Sequence, residues 1–180
     1  AARGDQAQAV VEAADALRAA VNGDTVTYVV NRNINYTNIC SYACSFCAFS
    51  KTSVKAGLRD RPYLLEPAEV AARASEAAAR GATEVCLQGG IHPSYTGDTY
   101  AGILDAVKKS CPDLHVHAFS PLEVAQGAHT LGVPVADYLK RLKDAGLGSL
   151  PGTAAEILDD EVRREICPDK LMTGEWLDVI

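Results

Sequence analysis

The sequence lacks the features that mark several common classes of protein. Aromatic residues make up 6% of its 180 residues, and a formal net charge of −6 leaves no excess of lysine and arginine. A domain that binds nucleic acid would show a basic stripe, so binding to a phosphate backbone is disfavoured. No apolar run approaches the roughly 18 residues that a membrane span needs, and the alanine-rich, charged N-terminal segment differs from a signal peptide. We therefore expect a cytoplasmic protein that binds neither nucleic acid nor membranes.

Internal repeats and low-complexity linkers are missing as well, and the length corresponds to one domain. Hydrophobic residues make up 48% of the chain and charged residues 22%, which excludes collagen-like, coiled-coil and disordered proteins. A chain of this size buries roughly 70% of its unfolded surface, so it forms a core without disulfides.

Hydrophobic periodicity predicts strands and helices that alternate along the chain. A helix over residues 5–20 comes first. Alternation of this kind implies parallel strands joined by right-handed crossovers, in either a doubly wound sheet or a (β/α) barrel. The predicted strands cover residues 25–33, 83–88, 113–119 and 147–150, and the predicted helices cover 68–80, 99–110, a start at 120–123, 135–145 and a further helix that begins at 151–153.

Two observations favour the barrel. Polar and glycine-rich residues collect at the carboxyl end of each strand, where barrel active sites lie. His115 and His117 also share one strand face, whereas Leu114, Val116 and Ala118 share the other, and strands buried on both faces would be continuously apolar. We predict an α/β fold that is a partial TIM-type (β/α) barrel of about four βα units, whose polar lumen holds a ligand.

The domain boundaries follow from this interpretation. We expect a helical lead-in over residues 1–24 and the barrel domain over 25–180. The pattern over 174–180 is apolar and helical, without a cap or a polar tail. We therefore expect the C-terminal part of the barrel to be missing from this chain.

Cysteines form the most specific local pattern. Cys40, Cys44 and Cys47 lie within eight residues with the spacing C-x3-C-x2-C, and Phe46 precedes the third. Such clustering in a cytosolic chain points to a metal more than to disulfides. The spacing lets a tight loop wrap three thiolates around one corner of a cubane cluster, and the lack of a fourth local cysteine leaves one metal with an open position. A zinc loop that borrows a distant His or Cys is the alternative.

This pattern, placed after the first strand of a β/α barrel, resembles the signature of the radical S-adenosylmethionine (radical SAM) enzymes. The resemblance implies that Cys40, Cys44 and Cys47 hold a 4Fe–4S cluster and that Phe46 lies against the adenine of S-adenosylmethionine. In that family the open iron chelates the methionine moiety, and reductive cleavage of the sulfonium yields a 5'-deoxyadenosyl radical.

The resemblance extends to the end of the second strand. Gln88, Gly89 and Gly90 occupy the place of a Gly-Gly-Glu-type motif whose backbone binds the methionine amino group, although Ile91 replaces the glutamate. Glycine there permits close backbone approach and a positive φ. An ordinary turn between strand and helix is the alternative.

Ser120 and Glu123 are further candidates for cofactor binding. Glu123 could bind the ribose hydroxyls, as acidic residues do in other nucleotide-binding folds. Alternatively, Ser120 is an N-cap and Glu123 is its N3 partner in a capping box.

The catalytic residues stay unassigned, with His117, His92 and Glu156 as candidates. A neutral imidazole at His117 could orient a substrate or carry a proton, and His92 adjoins the Gly-Gly turn. Buried structural histidines are the alternative. Glu156 would bind substrate or cofactor, or else be a carboxylate that a helix dipole favours.

Longer motifs narrow the resemblance to a subgroup that contains the deazaflavin-forming enzymes and the futalosine-pathway enzymes of menaquinone synthesis. Residues 149–156 and 166–170 favour the tyrosine-using half of the deazaflavin-forming enzymes. A futalosine-pathway cyclase is the alternative, and a non-catalytic metal-binding fragment is the second. The motifs cover residues 28–40, 47–50, 87–93, 115–121 and 148–158.

The resemblance implies a reaction and its partners. A transferase of this kind joins the 4-hydroxybenzyl group of L-tyrosine to 5-amino-6-(D-ribitylamino)uracil by way of the deoxyadenosyl radical. It needs an electron donor and a second radical SAM module, fused or separate, that closes the deazaflavin ring.

Overall fold

A computed structural model describes residues 4–51 and 61–180. Residues 52–60 would complete the predicted cysteine loop up to Pro62, and this part of the prediction lies outside the described residues. The elements are α1 (Gly4–Asn22), β1 (Asn31–Asn35), α2 (Pro67–Ala79), β2 (Glu84–Gln88), α3 (Gly97–Ser110), β3 (His115–Ala118), α4 (Pro121–Leu131), α5 (Val135–Asp144), α6 (Asp160–Ile166) and α7 (Thr173–Val179).

The three strands form one parallel sheet in the order β1-β2-β3. Each crossover therefore moves one strand along in the same direction, as in a (β/α) barrel, whereas the strand order of a doubly wound sheet reverses. Asn33, Cys86 and His117 lie side by side in this register. The predicted α/β fold with a parallel sheet is confirmed.

Alternation along the strands separates an apolar face from a polar one. Ile34, Val85, Leu87 and Val116 are buried in the main core with residues of α2, α3 and α4. The alternate side chains point to the opposite side, as the sequence predicted for His115 and His117. We call this side the polar sheet face, and its members are Asn31, Asn33, Asn35, Glu84, Cys86, Gln88, His115 and His117.

The first strand lies further along the chain than predicted. Residues 25–30 are exposed and form no strand, and β1 begins at Asn31. Val26 and Tyr28 are 89% and 86% exposed. Their side chains therefore lack the packing surface that stabilises residues of high β propensity in a strand. The helix predicted at 5–20 is present as α1, although the side chains of Val10 and Leu17 on it are exposed. None of the helices in the described part of the chain combines the length and the apolar character needed to cross a bilayer.

The predicted fourth strand over residues 147–150 is reduced to one bridge. Ser149 pairs with His117 in parallel, and its carbonyl accepts the N–H of Ala118. Pro151 follows at once and has no N–H with which to extend the pairing. Within residues 4–51 and 61–180, three complete strand–helix units and this bridge are therefore present, whereas four complete units were expected.

The helix predicted to begin at residues 151–153 is also wrong. Residues 151–159 are irregular, and Ala154 and Glu156 adopt positive φ values of 64° and 44°. Helix α6 starts only after Asp159, whose carboxylate caps the N–H groups of Glu161 and Val162.

A fully buried arginine holds this irregular segment. The guanidinium of Arg163 donates to the carbonyls of Ile157 at 2.9 Å and Leu171 at 2.5 Å, and also to those of Ala154 and Ala155. Carbonyls of an irregular buried loop need such a donor, because each unpaired polar group is costly. The planar five-donor fork of arginine satisfies several at once.

We predict that Arg163→Ala lowers the free energy of unfolding by roughly 3 kcal/mol, because several buried carbonyls lose their donor together. Urea titration followed by circular dichroism measures the loss. Arg164→Ala is the matched control, since Arg164 lies on the same helix and is exposed. Equal midpoints for the two variants would show that Arg163 has no such role.

Candidate functional site

A cavity of about 240 Å³ opens beside the end of β2. Every residue that the sequence assigned to metal or cofactor binding lines it, and so does Glu156. The lining comprises Cys40, Tyr42, Cys44, Phe46, Cys47, Phe49, Ser50, Gln88, Gly89, Gly90, Ile91, Ser120, Leu122, Glu123, Thr153, Ala154, Glu156 and Lys170.

The three cysteines of the cavity are free thiols, and backbone N–H groups are directed at two of their sulfur atoms. The N–H of Ile91 donates to Cys40 Sγ at 3.3 Å, and the N–H of Ser50 donates to Cys47 Sγ at 3.3 Å. Burial raises the pKa of the Cys44 thiol, and the nearby Lys170 ammonium opposes that rise. Hydrogen bonds to sulfur stabilise thiolates and tune the potential of iron–sulfur clusters.

The donor set fits an iron–sulfur cluster. Among the described residues, no three His, Cys, Asp or Glu side chains converge so that they could share one metal ion. Three thiolates that each bind a different iron of a cubane need not converge on a single point. The fit therefore depends on the three thiols, on the N–H groups directed at two of them, and on the cavity they border.

Two glycines let the turn after β2 approach the cysteine loop. A Cβ on Gly90 would meet the carbonyl of Ile39 and come within 2.9 Å of Cys40 Cβ, and a Cβ on Gly89 would come within 2.8 Å of the Tyr36 ring. Close approach was predicted correctly here. The positive φ was wrong, because neither glycine is among the residues with positive φ.

The other side of the cysteine loop docks on the last residue of α6 and on the segment that follows it. Ser45 N–H donates to the carbonyl of Ile166 at 2.8 Å, and Ala43 N–H donates to Asp169 Oδ2 at 2.9 Å. The sequence did not predict this contact, although the Ile-Cys-Pro-Asp-Lys motif that starts at Ile166 marked the segment as distinctive.

Lys170 adds a charge to the cavity wall. Its ammonium lies 2.5 Å from Glu156 Oε1 and 5.2 Å from the centroid of the Phe46 ring. The ion pair is largely buried, with 11% of the lysine side chain exposed. Glu156 is thus a partner of Lys170 on the wall, and the ring of Phe46, 48% exposed, faces a cation.

The sequence model of the Radical SAM superfamily matches residues 34–180. The chain belongs to the radical SAM superfamily. Members of this superfamily use a 4Fe–4S cluster and S-adenosylmethionine.

Curated relatives share about half of the residues of this radical SAM chain. It is 49% identical over 177 residues to the 5-amino-6-(D-ribitylamino)uracil–L-tyrosine 4-hydroxyphenyl transferase of Methanothermobacter thermautotrophicus. This match covers 98% of this chain and 47% of that protein. It is 51% identical over 179 residues to FO synthase of Nocardia farcinica. This second match covers 99% of this chain and 20% of that protein. The chain thus spans about half the length of the first relative and a fifth of the second.

Solved structures share the fold at low sequence identity. Methylornithine synthase matches with a TM-score of 0.65 at 17% identity, over 98% of this chain and 47% of that one. The FeFe-hydrogenase maturase HydG from Carboxydothermus hydrogenoformans matches with a TM-score of 0.62 at 19% identity, over 98% of this chain and 37% of that one. The predicted radical SAM type of β/α fold is confirmed.

In this radical SAM domain Glu123 forms the capping box that the sequence offered as an alternative. Its carboxylate accepts the N–H and the hydroxyl of Ser120 at 2.6 and 2.7 Å, the N–H of Gly89 at 3.1 Å and the hydroxyl of Tyr36. Burial raises its pKa to about 8, and the N–H groups of Ser120 and Gly89 limit that rise. The side chain is 1% exposed, so its four donors come from the protein.

Two histidine candidates do not line the cavity. His92 packs its ring 4.9 Å from that of Tyr95 and bonds Ser94 through Nδ1. His117 lies on the polar sheet face, where its Nδ1 is 2.6 Å from the hydroxyl of Ser149. Their catalytic roles stay predictions.

We predict that Gly90→Ala prevents cluster assembly, because the added methyl group would force the cysteine loop away from β2. Iron content and visible absorption after anaerobic reconstitution measure the loss. Gly102→Ala is the control, since a Cβ there meets nothing within 4 Å and alanine favours the helix. A Gly90→Ala protein with the full iron complement would refute the close-approach argument.

We predict that Glu123 makes stability depend on pH. Its pKa is about 8 in the folded protein against an ordinary 4.5, so between these values the folded state keeps a proton that the unfolded chain releases. Its contribution is complete below about pH 4.5 and is lost as the pH rises through 8.

Glu123→Gln should remove this dependence on pH. It should also lower stability throughout, because an amide NH₂ group cannot accept the backbone N–H that it faces. Urea midpoints from pH 5 to 8 test this, with the exposed Glu161→Gln as control. Parallel curves for wild type and Glu123→Gln would contradict it.

Proposed function

We propose that the chain is the cluster-binding part of a radical SAM transferase that joins the 4-hydroxybenzyl group of L-tyrosine to 5-amino-6-(D-ribitylamino)uracil. The observation that carries this proposal is the cavity in which Cys40, Cys44 and Cys47 meet the Gly89–Gly90 turn. About 50% identity along nearly the whole chain to relatives with that name supports this substrate pair over the futalosine-pathway cyclase.

The proposed roles follow from the contacts. Cys40, Cys44 and Cys47 hold the 4Fe–4S cluster, and backbone groups from Gln88 to Gly90 bind S-adenosylmethionine beside it. When bound, the cluster and this cofactor supply a 5'-deoxyadenosyl radical. A primary radical attacks whatever is nearest, so the protein must orient its substrates and exclude water.

An apolar cluster beside the cavity supports the exclusion of water. Ile91, Leu122 and Trp176 are buried together, and Cys40 and Tyr42 pack against them. Ser120 and Glu123 hold the β3–α4 turn in place and so shape the floor of the cavity. The thiols are thereby bordered by apolar side chains on one side and by a rigid turn on the other.

The partners belong to the same proposal. This chain covers only 20% of its relative FO synthase. The remaining length of that relative supports a second module, fused or separate, that closes the deazaflavin ring. An electron donor must reduce the cluster. The cytoplasmic location and the division into a lead-in at 1–24 and a barrel domain at 25–180 stay predictions.

The test is anaerobic reconstitution of the full-length protein with iron and sulfide, followed by S-adenosylmethionine, dithionite, L-tyrosine and 5-amino-6-(D-ribitylamino)uracil. We expect about four irons per chain, deoxyadenosine, and an adduct whose mass matches the 4-hydroxybenzylated uracil. One tightly held zinc would instead favour the non-catalytic fragment, and an adduct formed only with a futalosine-pathway substrate would favour the cyclase.

Cys44→Ala should abolish deoxyadenosine formation, because the cluster loses one thiolate ligand. Cys111→Ala is the matched control, since Cys111 contacts Ser75 away from the cavity. Undiminished cofactor cleavage by Cys44→Ala, or an equal loss in both variants, would refute the ligand assignment.

A further inference from the structure

The polar sheet face adjoins the cavity at the end of β2. Gln88 belongs to both, and its amide donates to Cys86 Sγ at 3.4 Å. Cys86 pairs in register with His117, which bonds Ser149. From Ser149 the chain runs on to Thr153 and Ala154 in the cavity wall. A molecule that reaches beyond the cavity along this route meets amide, thiol, imidazole and hydroxyl groups in turn.

Ser149 couples two imidazoles on this face. Its hydroxyl lies 2.8 Å from Nε2 of His115 and 2.6 Å from Nδ1 of His117. A hydroxyl has one proton, so it donates to one ring and accepts from the other, and the two tautomers are tied together. Glu84 Oε2 lies 3.8 Å from His115 Nε2, on the side of His115 away from His117 in this row of hydrogen-bonding groups.

One ring nitrogen of His117 is left to face a ligand. Among the described residues, Nε2 of His117 has no hydrogen-bond partner, whereas Nδ1 is held by Ser149. The ring is half-buried and cannot turn without breaking that bond. Ser149 thus fixes the direction of Nε2 and couples the tautomer of His117 to that of His115.

The chemistry of this face selects a neutral, hydrogen-bonding molecule. Within β1, β2 and β3, the face has a single carboxylate, Glu84, and no lysine or arginine. A zwitterionic amino acid would leave its carboxylate without a cation there. A polyol or a uracil ring instead has several neutral donors and acceptors, and strands about 4.8 Å apart present matching groups at regular intervals.

Resting on the function proposed above, we propose that the polar sheet face binds the ribityl-uracil substrate. Nε2 of His117 contacts that substrate, and Ser149 is the positioning residue that orients it. L-Tyrosine then binds elsewhere, which leaves its affinity independent of Ser149. Each lost hydrogen bond should weaken binding of the uracil roughly 3- to 10-fold.

The test uses the full-length reconstituted enzyme with S-adenosylmethionine and measures two dissociation constants by anaerobic calorimetry. The probes are 5-amino-6-(D-ribitylamino)uracil and L-tyrosine. We expect Ser149→Ala and His117→Gln to raise the Kd for the uracil roughly 3- to 10-fold with no change for tyrosine. Ser149→Thr, which keeps the hydroxyl, should restore the wild-type value.

His129→Gln is the matched control, because His129 is exposed on α4 and away from the sheet, and its affinities should equal those of wild type. Circular dichroism and iron content check folding, and His117→Gln carries the test alone if Ser149→Ala is unstable. Unchanged uracil affinity in the variants, or an equal loss for tyrosine, overturns the proposal while the function stands. A wild-type enzyme that neither binds the uracil nor forms the adduct overturns the proposed function itself.

Discussion

The carboxylate of Glu123 joins the carboxyl ends of the three strands beneath the cavity. Tyr36 directly follows β1, Gly89 directly follows β2, and Ser120 comes two residues after β3, and each donates to this one side chain. The turns that shape the cavity floor are therefore fixed relative to one another by a single group that solvent does not reach. Both glycines of the β2 turn, and through them the cysteine loop, take their position from this junction.

The junction has a cost that other contacts must balance. Burial of a carboxylate disfavours its charged form, which is why the pKa of Glu123 rises. The preceding Phe119 also adopts a φ of 64°, which is rare for a bulky side chain, and this conformation precedes the Ser120 N–H that points at Glu123. Phe119 is completely buried, with its ring 5.2 Å from that of Tyr100, so packing of the aromatic core supports the strained backbone.

Local patterns predicted the parts of this arrangement that depend on near neighbours. The capping box at Ser120, the alternation along β3 and the close approach at Gly90 each follow from a few adjacent residues, and all are present. The start of β1 was misplaced, because residues 25–30 have strand propensity but nothing to pack against. The β propensity of a segment shows that it can form a strand, but a strand forms only where its side chains are buried against neighbours.

Contacts between distant segments could not be read from the sequence. The cysteine loop bonds Ile166 and Asp169 more than 120 residues away, and a motif gives no information on which surface it will meet. The irregular wall at Ala154 is likewise held by Arg163, a residue that in the sequence looks like one more exposed charge on a short helix. Buried backbone carbonyls are costly unless they are paired. The guanidinium of Arg163 supplies the donors that a helix would otherwise provide, so this segment stays irregular where the local pattern predicted a helix.

The two sides of the site have different chemistry because the strands have a period of two. Alternation that buries Ile34 and Val116 against the helices places Asn33 and His117 on the opposite face, so a polar surface is the consequence of building the core. Thiols and the charged pair of the wall lie on loops, where the chain is free to bring them together. A molecule bound across both regions would therefore meet ionic chemistry on loops and neutral hydrogen bonding on strands.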